Sequence, residues 1–175
     1  ECGVNHNGNY QTAKKLIRYA KLAGFDAVKF QTYITENLVH KTTKLANYQR
    51  KTSYKTQFAM LKKYSLTKNE FLKLKAFCEK IKIIFLSTPF DLESAKFLDK
   101  ILNVPIFKIS SADLNNYQLL NYIKSSKKPI ILSTGMSTNK MINNAVKFLN
   151  YPKNKLAILH CVSEYPTNIR DTFLG

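Results

Sequence analysis

Two lysines lie inside apolar runs that otherwise have the character of buried strands. Lys108 is in the segment IFKISSAD (residues 106–113), and Lys29 is in the segment AVKFQ (residues 27–31). An ammonium group that is removed from water must lose its proton or find a counter-charge. The two lysines therefore indicate a site for an anionic ligand, with a phosphate or a carboxylate as the group that binds.

Polar side chains follow five apolar runs at the point where each run ends. They are Gln31 and Thr32; Ser87 and Thr88; Ser110, Ser111 and Asp113; Ser133 and Thr134; and His160, Ser163 and Tyr165. Ligands of parallel α/β folds bind at the carboxyl ends of the strands, where hydroxyl groups can donate to phosphate oxygens. The alternative is that the lysines reach water from outer strand faces and the hydroxyls only cap helices. Repetition of the pattern in five runs favours the ligand site.

Strands and helices must alternate to position these groups. The apolar runs predict strands that start near residues 27, 83, 106, 130 and 157, each short enough to be buried on both faces. Residues 1–4 have the pattern of the tail of a further strand, which makes six. Capping patterns and apolar periodicity predict helices that begin at Tyr10, Thr67, Asp91, Asn116 and Ser137. Alternation along the strand at 27 puts Lys29 and Gln31 on one face.

Repeated strand and helix units predict a parallel α/β sheet, either doubly wound or closed as a (β/α)8 TIM barrel. A barrel needs eight strands and typically about 250 residues, so this interpretation makes the chain an incomplete barrel with about six strands. A doubly wound fold needs no further strand. However, the segment GVNHNG (residues 3–8) does not match the GxGxxG phosphate loop. The strand pattern alone leaves both folds open.

The composition is typical of one folded domain, here residues 1–175, with 45% hydrophobic residues. Both ends look cut, because the chain begins at Glu1 and stops just after a strand pattern. The formal charge of +17 permits polyanion binding, but the lysines are spread along the chain rather than concentrated in a patch. Three cysteines without disulfide or metal spacing predict a cytoplasmic location, and no apolar run is long enough to span a membrane.

Six motifs in order along the chain resemble those of the sialic acid synthase family. They are ECGVNHNG (1–8), VKFQT (28–32), FLSTPFD (85–91), FKISS (107–111), ILSTGM (131–136) and LHCVSEYPT (159–167). The family includes N-acetylneuraminate, legionaminic acid and pseudaminic acid synthases. The resemblance covers essentially the whole chain, and six ordered motifs are far more specific than a single one.

The resemblance implies a TIM barrel that condenses phosphoenolpyruvate with an N-acetylmannosamine-type amino sugar. The products would be a nine-carbon 2-keto acid and phosphate. It further implies a divalent metal, Mn²⁺ or Mg²⁺, whose ligands lie beyond residue 175. An antifreeze-like domain is expected there as well, exchanged with a partner in a domain-swapped homodimer. Neither a nucleic acid nor a membrane is expected as a partner, and the fragment alone is expected to be inactive.

The resemblance also assigns roles to individual residues. Phosphoenolpyruvate would be bound by Lys29, Gln31, Thr88, Lys108, Ser111, Ser133 and Ser163. The catalytic residues would be Glu1, Asp113 and Tyr165, with Glu1 as an acid/base or water-orienting carboxylate and Tyr165 near the substrate. Asp113 is a departure, because the family commonly has Glu there. Its side chain is one methylene shorter, so its reach toward a proton differs.

The three histidines are not expected to bind a metal, because none has a second ligand at suitable spacing. His160 is expected to be a hydrogen-bonded histidine within a barrel strand, and His40 a solvated loop residue. For His6, shaping the site and holding a turn are equally open.

Two other functions remain alternatives at this stage. One is another phosphoenolpyruvate-dependent barrel that acts on a phosphorylated aldose, although the NHNG and SEYP segments favour the sialic acid group. The other is a polyanion-binding module, whose affinity would fall steeply with salt. The acceptor is expected to contact residues 32–66, but the pattern does not identify which sugar it is.

Overall fold

The computed structural model describes residues 1–46, 49 and 53–173. The chain forms two compact units, Glu1–Val104 and Pro105–Gly175, which we call the first and the second unit. Parallel strands separated by helices make up each unit, so the predicted α/β class with parallel pairing is confirmed.

The first unit contains two strands, β1 (Ala27–Thr32) and β2 (Ile84–Pro89), which pair in parallel. Its helices are α1 (Tyr10–Leu22), α2 (Thr35–Leu38), α3 (Gln57–Tyr64), α4 (Lys68–Lys80) and α5 (Leu92–Lys96), and a π-helical turn, Phe97–Ile101, continues α5. Two of these helix starts follow the predicted caps. Thr67 and Glu70 form both bonds of the capping box at α4, and Asp91 accepts the Ser94 amide at α5.

One face of the two-stranded sheet forms the core of the first unit. Val28, Phe30 and Thr32 alternate as the buried residues of β1, and Phe30 stacks on Phe85 of β2. Phe71 of α4 contacts both rings edge-on. The remaining side chains of β1 therefore lie on the face opposite α4, which is the face that carries Lys29 and Gln31.

The second unit contains three parallel strands in the order β3, β4, β5, with bounds Phe107–Ile109, Ile130–Ser133 and Leu156–Leu159. Its α-helices are α6 (Tyr117–Ser125) and α7 (Asn139–Leu149), and three 3₁₀ turns cover Ser111–Asp113, Lys153–Lys155 and Ile169–Asp171. Asn116 caps α6 as predicted. The core comprises β3, β4 and the buried side of α6, where Phe107, Leu132 and Leu120 are fully buried.

Three predictions about these elements are wrong in detail. Residues 1–4 form no strand: Gly3, at φ +48°, turns the chain away after a single parallel bridge to Phe30. The cap of α7 is Thr138 rather than Ser137, and the Ser137 hydroxyl donates to the Gly135 carbonyl instead. Strand β5 is largely exposed rather than buried on both faces, with Ile158 49% exposed, because β4 is the one strand beside it among the described residues.

The two sheets that are observed do not confirm the predicted barrel with about six strands. Within the described residues five strands are present, two in the first unit and three in the second. None of the helices in that part of the chain has the length and apolar character needed to cross a bilayer.

Candidate functional site

Lys108 is the central cation of the second unit. It lies in β3, is only 8% exposed, and donates from Nζ to the Ser133 hydroxyl at 2.5 Å and to the Ile109 carbonyl at 2.8 Å. Burial lowers the pKa of its ammonium group. Its two hydrogen-bond acceptors are neutral, and they use two of its three N–H donors. An anion at this point would supply a counter-charge that neither of these acceptors provides.

Two further predicted hydroxyls border Gly135, just after β4. The Ser111 hydroxyl accepts a hydrogen bond from the Gly135 amide at 2.9 Å. A Cβ atom on Gly135 would lie 3.0 Å from the Ser111 hydroxyl and would collide with that of Ser163. The hydroxyls of Ser111 and Ser163 therefore lie together beside Gly135 at the end of β4, and we call these three residues the corner. Ser133 is the last residue of the same strand. The absence of a side chain at residue 135 lets the Ser111 and Ser163 hydroxyls approach the backbone this closely.

Asp113 is held by its own turn. Its carboxylate accepts from the Ser110 hydroxyl at 2.6 Å and from the Asn116 side-chain amide at 3.2 Å, and the residue is 8% exposed. These bonds fix the 3₁₀ turn that carries Ser111. Because both of its oxygens accept hydrogen bonds within the turn, the Asp113 carboxylate orients this turn. Its catalytic role stays a prediction.

The segment after β5 is more exposed than the sequence predicts. Tyr165, expected to lie near the substrate, is 73% exposed. His160 follows β5 rather than lying within it, and its Nε2 atom is 2.6 Å from the Thr172 carbonyl oxygen. The expected hydrogen bond of His160 is thus present, but its expected position inside a strand is wrong.

Three predicted residues share one face of the sheet in the first unit. Gln31 and Thr88 are register partners on β1 and β2, and Lys29 lies two residues before Gln31. This is the predicted pairing of Lys29 with Gln31 on one face. Ser87 lies on the opposite face, where its hydroxyl is 2.7 Å from that of Thr32 inside the core.

Glu1 is brought onto this face although it is far from β1 in sequence. Its carboxylate forms an ion pair with Lys29 and accepts the Gly3 amide at 2.9 Å. The Cys2 and Gly3 amides both donate to the Lys29 carbonyl, at 2.8 and 3.1 Å. Residues 1–3 are thus fastened to β1 by side chain and backbone together. The pair remains partly exposed, with side-chain exposures of 23% for Lys29 and 47% for Glu1.

Gly135 was not predicted as a site residue, although a glycine that directly follows Ser133 and Thr134 at a strand end was a usable signal. For His6, shaping the site and holding a turn were both left open by the sequence. His6 is 1% exposed, and its Nε2 atom has no hydrogen-bond partner among the described residues. By contrast His40 is exposed, as expected.

The described residues contain no group of three or more His, Cys, Asp or Glu side chains that could hold a metal ion. The side chains present therefore do not fit a metal, and the expected divalent ion stays a prediction with ligands outside them. Cys2, Cys78 and Cys161 are all free thiols.

Comparison with known proteins defines the class. The NeuB family model matches residues 16–175, and the chain belongs to the NeuB family. This agrees with the resemblance carried by the six motifs.

The relatives are about twice as long as this chain. An uncharacterized protein of Methanocaldococcus jannaschii is 43% identical over 100% of the chain and 48% of its own length. The N,N'-diacetyllegionaminic acid synthase of Legionella pneumophila is 39% identical over 99% of the chain and 51% of its own length. The chain thus spans about half the length of the curated relatives it matches.

A solved structure with a similar fold is the N-acetylneuraminic acid synthetase of Leptospira borgpetersenii, determined in complex with citrate. It is 33% identical, with a TM-score of 0.85, and the match covers 98% of this chain and 56% of that one. The arrangement of strands and helices described above is therefore similar to that of a known family member.

Proposed function

We propose that the protein containing this chain condenses phosphoenolpyruvate with an N-acetylmannosamine-type amino sugar. The observation that carries this proposal is the buried Lys108 ammonium, which has neutral acceptors and lies at strand ends that carry three serine hydroxyls. Membership of the NeuB family supports the reaction, and the synthase names of relatives support the sugar class.

The proposed reaction forms one C–C bond and replaces the C2–O bond to phosphate with a C2–O bond to the oxygen of water. C3 of phosphoenolpyruvate attacks the aldehyde carbon of the open-chain sugar, whose oxygen takes up a proton. Water adds to C2 and gives up a proton. The tetrahedral intermediate then expels inorganic phosphate by cleavage of the bond between C2 and oxygen, which leaves the 2-keto acid. No external oxidant or reductant is needed.

In this proposal the second unit binds the charged end of phosphoenolpyruvate. Lys108 supplies the positive charge, and the hydroxyls of Ser111, Ser133 and Ser163 act as neutral donors to its oxygens. Gly135 lets the Ser111 and Ser163 hydroxyls lie at this strand end, where a side chain would displace them. A buried cation that gains an anionic partner is stabilised in its charged form, so binding raises the depressed pKa of Lys108.

The first unit contributes a second cation and a carboxylate. From the family resemblance we propose that Lys29, Gln31 and Thr88 bind phosphoenolpyruvate, and that Glu1, paired with Lys29, orients the attacking water or moves its proton. Asp113 and Tyr165 complete the proposed catalytic set, Asp113 by proton transfer and Tyr165 from the exposed segment after β5.

The proposal extends to the parts of the protein beyond the described residues. The fold is proposed to be a TIM barrel in which this chain supplies part of the strands, and the exposed edge strand β5 supports a further neighbour. An antifreeze-like domain, a domain-swapped homodimer, a divalent metal and a cytoplasmic location are all retained as proposals from the family resemblance. The greater length of the relatives supports the presence of more chain.

The test is an acceptor assay on the full-length protein. Phosphoenolpyruvate is offered with N-acetylmannosamine, with a 2,4-diacetamido-2,4,6-trideoxyhexose, or with a phosphorylated aldose, and phosphate release and product mass are measured. We expect a nine-carbon keto acid from one of the amino sugars. Turnover of the phosphorylated aldose alone would overturn the sugar assignment and support the other phosphoenolpyruvate-dependent class.

A further inference from the structure

His6 connects the first residues of the chain to β1. Its ring lies against Phe30, with 5.9 Å between the ring centroids, and it is 1% exposed. Its Nδ1 atom accepts the Gly8 amide at 3.1 Å. Nδ1 therefore carries no proton, and the imidazole is the neutral tautomer with its N–H at Nε2.

The neutral state agrees with the surroundings of the ring. Burial lowers the pKa of His6, and this outweighs the Gly3 backbone and the Glu70 carboxylate, which both favour the charged form. The Nε2 group has no hydrogen-bond partner within the described part of the chain, which is an unfavourable position for a polar atom. An apolar ring would avoid that cost, so the Nδ1 acceptor is the feature of histidine that this position uses.

The turn that His6 closes is fixed on its far side as well. Gly8 has φ +70°, and a Cβ atom there would collide with the Lys63 carbonyl of α3. The His6 carbonyl in turn accepts the Asn9 amide at 2.9 Å, immediately before α1. The segment from His6 to Asn9 is thus held between β1, α1 and α3, with little freedom to move.

Glu1 is connected to this turn through consecutive backbone hydrogen bonds, because the Asn5 amide donates to the Cys2 carbonyl and the Asn7 amide donates to the Val4 carbonyl, both at 2.9 Å. Residues 1–3 are attached through the amides of Cys2 and Gly3 to the Lys29 carbonyl, directly before Phe30 in β1. The chain leaves β1 at Gly3 and returns to it at the His6 ring. The position of His6 therefore sets the path of the chain that places the Glu1 carboxylate on Lys29.

We propose that His6 is a positioning residue, whose Nδ1 acceptor holds the turn that keeps the Glu1 carboxylate on the Lys29 ammonium group. This inference rests on the proposed function, in which Glu1 serves the chemical step and Lys29 binds the substrate. It separates the two parts of the histidine, the ring that fills space beside Phe30 and the nitrogen that accepts from Gly8.

Two substitutions in the full-length protein test these parts separately. His6→Phe keeps a ring beside Phe30 but removes the acceptor, so we expect the melting temperature to be retained and kcat to fall about tenfold. His6→Asn offers an oxygen acceptor for Gly8 but removes the ring, so we expect a lower melting temperature with kcat within about threefold of wild type. Ser126→Ala is the control and should leave kcat unchanged, because the Ser126 hydroxyl also accepts an amide two residues ahead, from Lys128, in a part of the chain with no proposed role in the reaction.

We expect the variant that keeps its melting temperature to lose kcat, and the variant that loses stability to keep kcat. A role in packing alone would not produce this result. If kcat follows the melting temperature in both variants, His6 acts only through stability and the inference is overturned. KM for phosphoenolpyruvate should change little in either variant, because Lys29 and Lys108 remain.

A double-mutant cycle with Glu1→Gln locates the effect. If His6 acts through Glu1, His6→Phe should lower kcat by less than about twofold in the Glu1→Gln background. A full additional loss there would overturn the inference while leaving the proposed function intact. If Glu1→Gln alone leaves kcat unchanged, the catalytic role proposed for Glu1 fails, and this inference fails with it. Absence of any condensation by the wild-type protein would instead reject the proposed function.

Discussion

Lys108 in the second unit is buried among neutral acceptors, whereas Lys29 in the first unit is partly exposed and already paired with Glu1. Similar apolar runs thus place the same residue type in two different electrostatic situations. Burial lowers the pKa of Lys108, and an anionic ligand would stabilise its charged form. Lys29 has its counter-charge within the chain. An anion should therefore gain far more from Lys108 than from Lys29.

The largest expected effect follows from removing the buried charge. Lys108→Met keeps much of the side-chain volume and should weaken phosphoenolpyruvate binding about a hundredfold, on the order of 3 kcal/mol, as for other buried charge partners. Isothermal titration of the full-length protein measures this. Lys147→Met is the matched control, since Lys147 is an exposed lysine of α7 in the same unit. Equal, small losses in both variants would favour diffuse polyanion binding instead.

Filling the corner at Gly135 should have the next largest effect. Gly135→Ala places a methyl group against the Ser163 hydroxyl, which must then move away from the ligand, so we expect affinity for phosphoenolpyruvate to fall roughly thirtyfold, or about 2 kcal/mol. Gly24→Ala is a control for backbone strain, because Gly24 has φ +81° with open space around it. We expect Gly24→Ala to lower the melting temperature without changing affinity. Unchanged affinity in Gly135→Ala would exclude this corner from the binding site.

Some features of the structure could be predicted from the sequence because they are local. Thr67, Asp91 and Asn116 were predictable as helix caps, because capping depends on residues three positions away. The face shared by Lys29 and Gln31 was predictable from strand alternation. Such features are local, and a single chain segment contains all the information they need.

Contacts between distant segments were not predictable in the same way. The ion pair of Glu1 with Lys29 and the approach of Ser163 to Gly135 each join residues 28 positions apart. The exposure of β5 has a similar origin, because its apolar composition predicts burial but burial depends on which neighbours are present. Ser137 and Thr138 show a smaller limit, since two adjacent residues can both cap a helix and backbone geometry selects Thr138.

The depressed pKa of Lys108 predicts a pH dependence of binding. The free ammonium loses its proton at a lower pH than an ordinary lysine, for which the value is 10.5. Affinity for phosphoenolpyruvate should therefore fall as the pH rises into the alkaline range, by up to about tenfold per pH unit above the pKa of Lys108 in the free protein. Titrations between neutral and alkaline pH measure this decline. Lys108→Arg stays charged there, so a decline that persists in this variant would assign it to another group.

The smallest effect on phosphoenolpyruvate affinity is expected for a substitution of Lys29, the lysine that is already paired with a carboxylate. Lys29→Met removes a partly exposed cation. An ion pair between such a cation and an anionic ligand contributes about 1 kcal/mol, so phosphoenolpyruvate affinity should fall only about fivefold. Glu1→Gln removes the competing carboxylate and should leave the affinity equal or slightly higher while lowering kcat. Measuring Kd and kcat for both variants separates charge competition from chemistry. A loss for Lys29→Met as large as that for Lys108→Met would show that the Glu1 pair does not reduce the attraction of Lys29 for an anion.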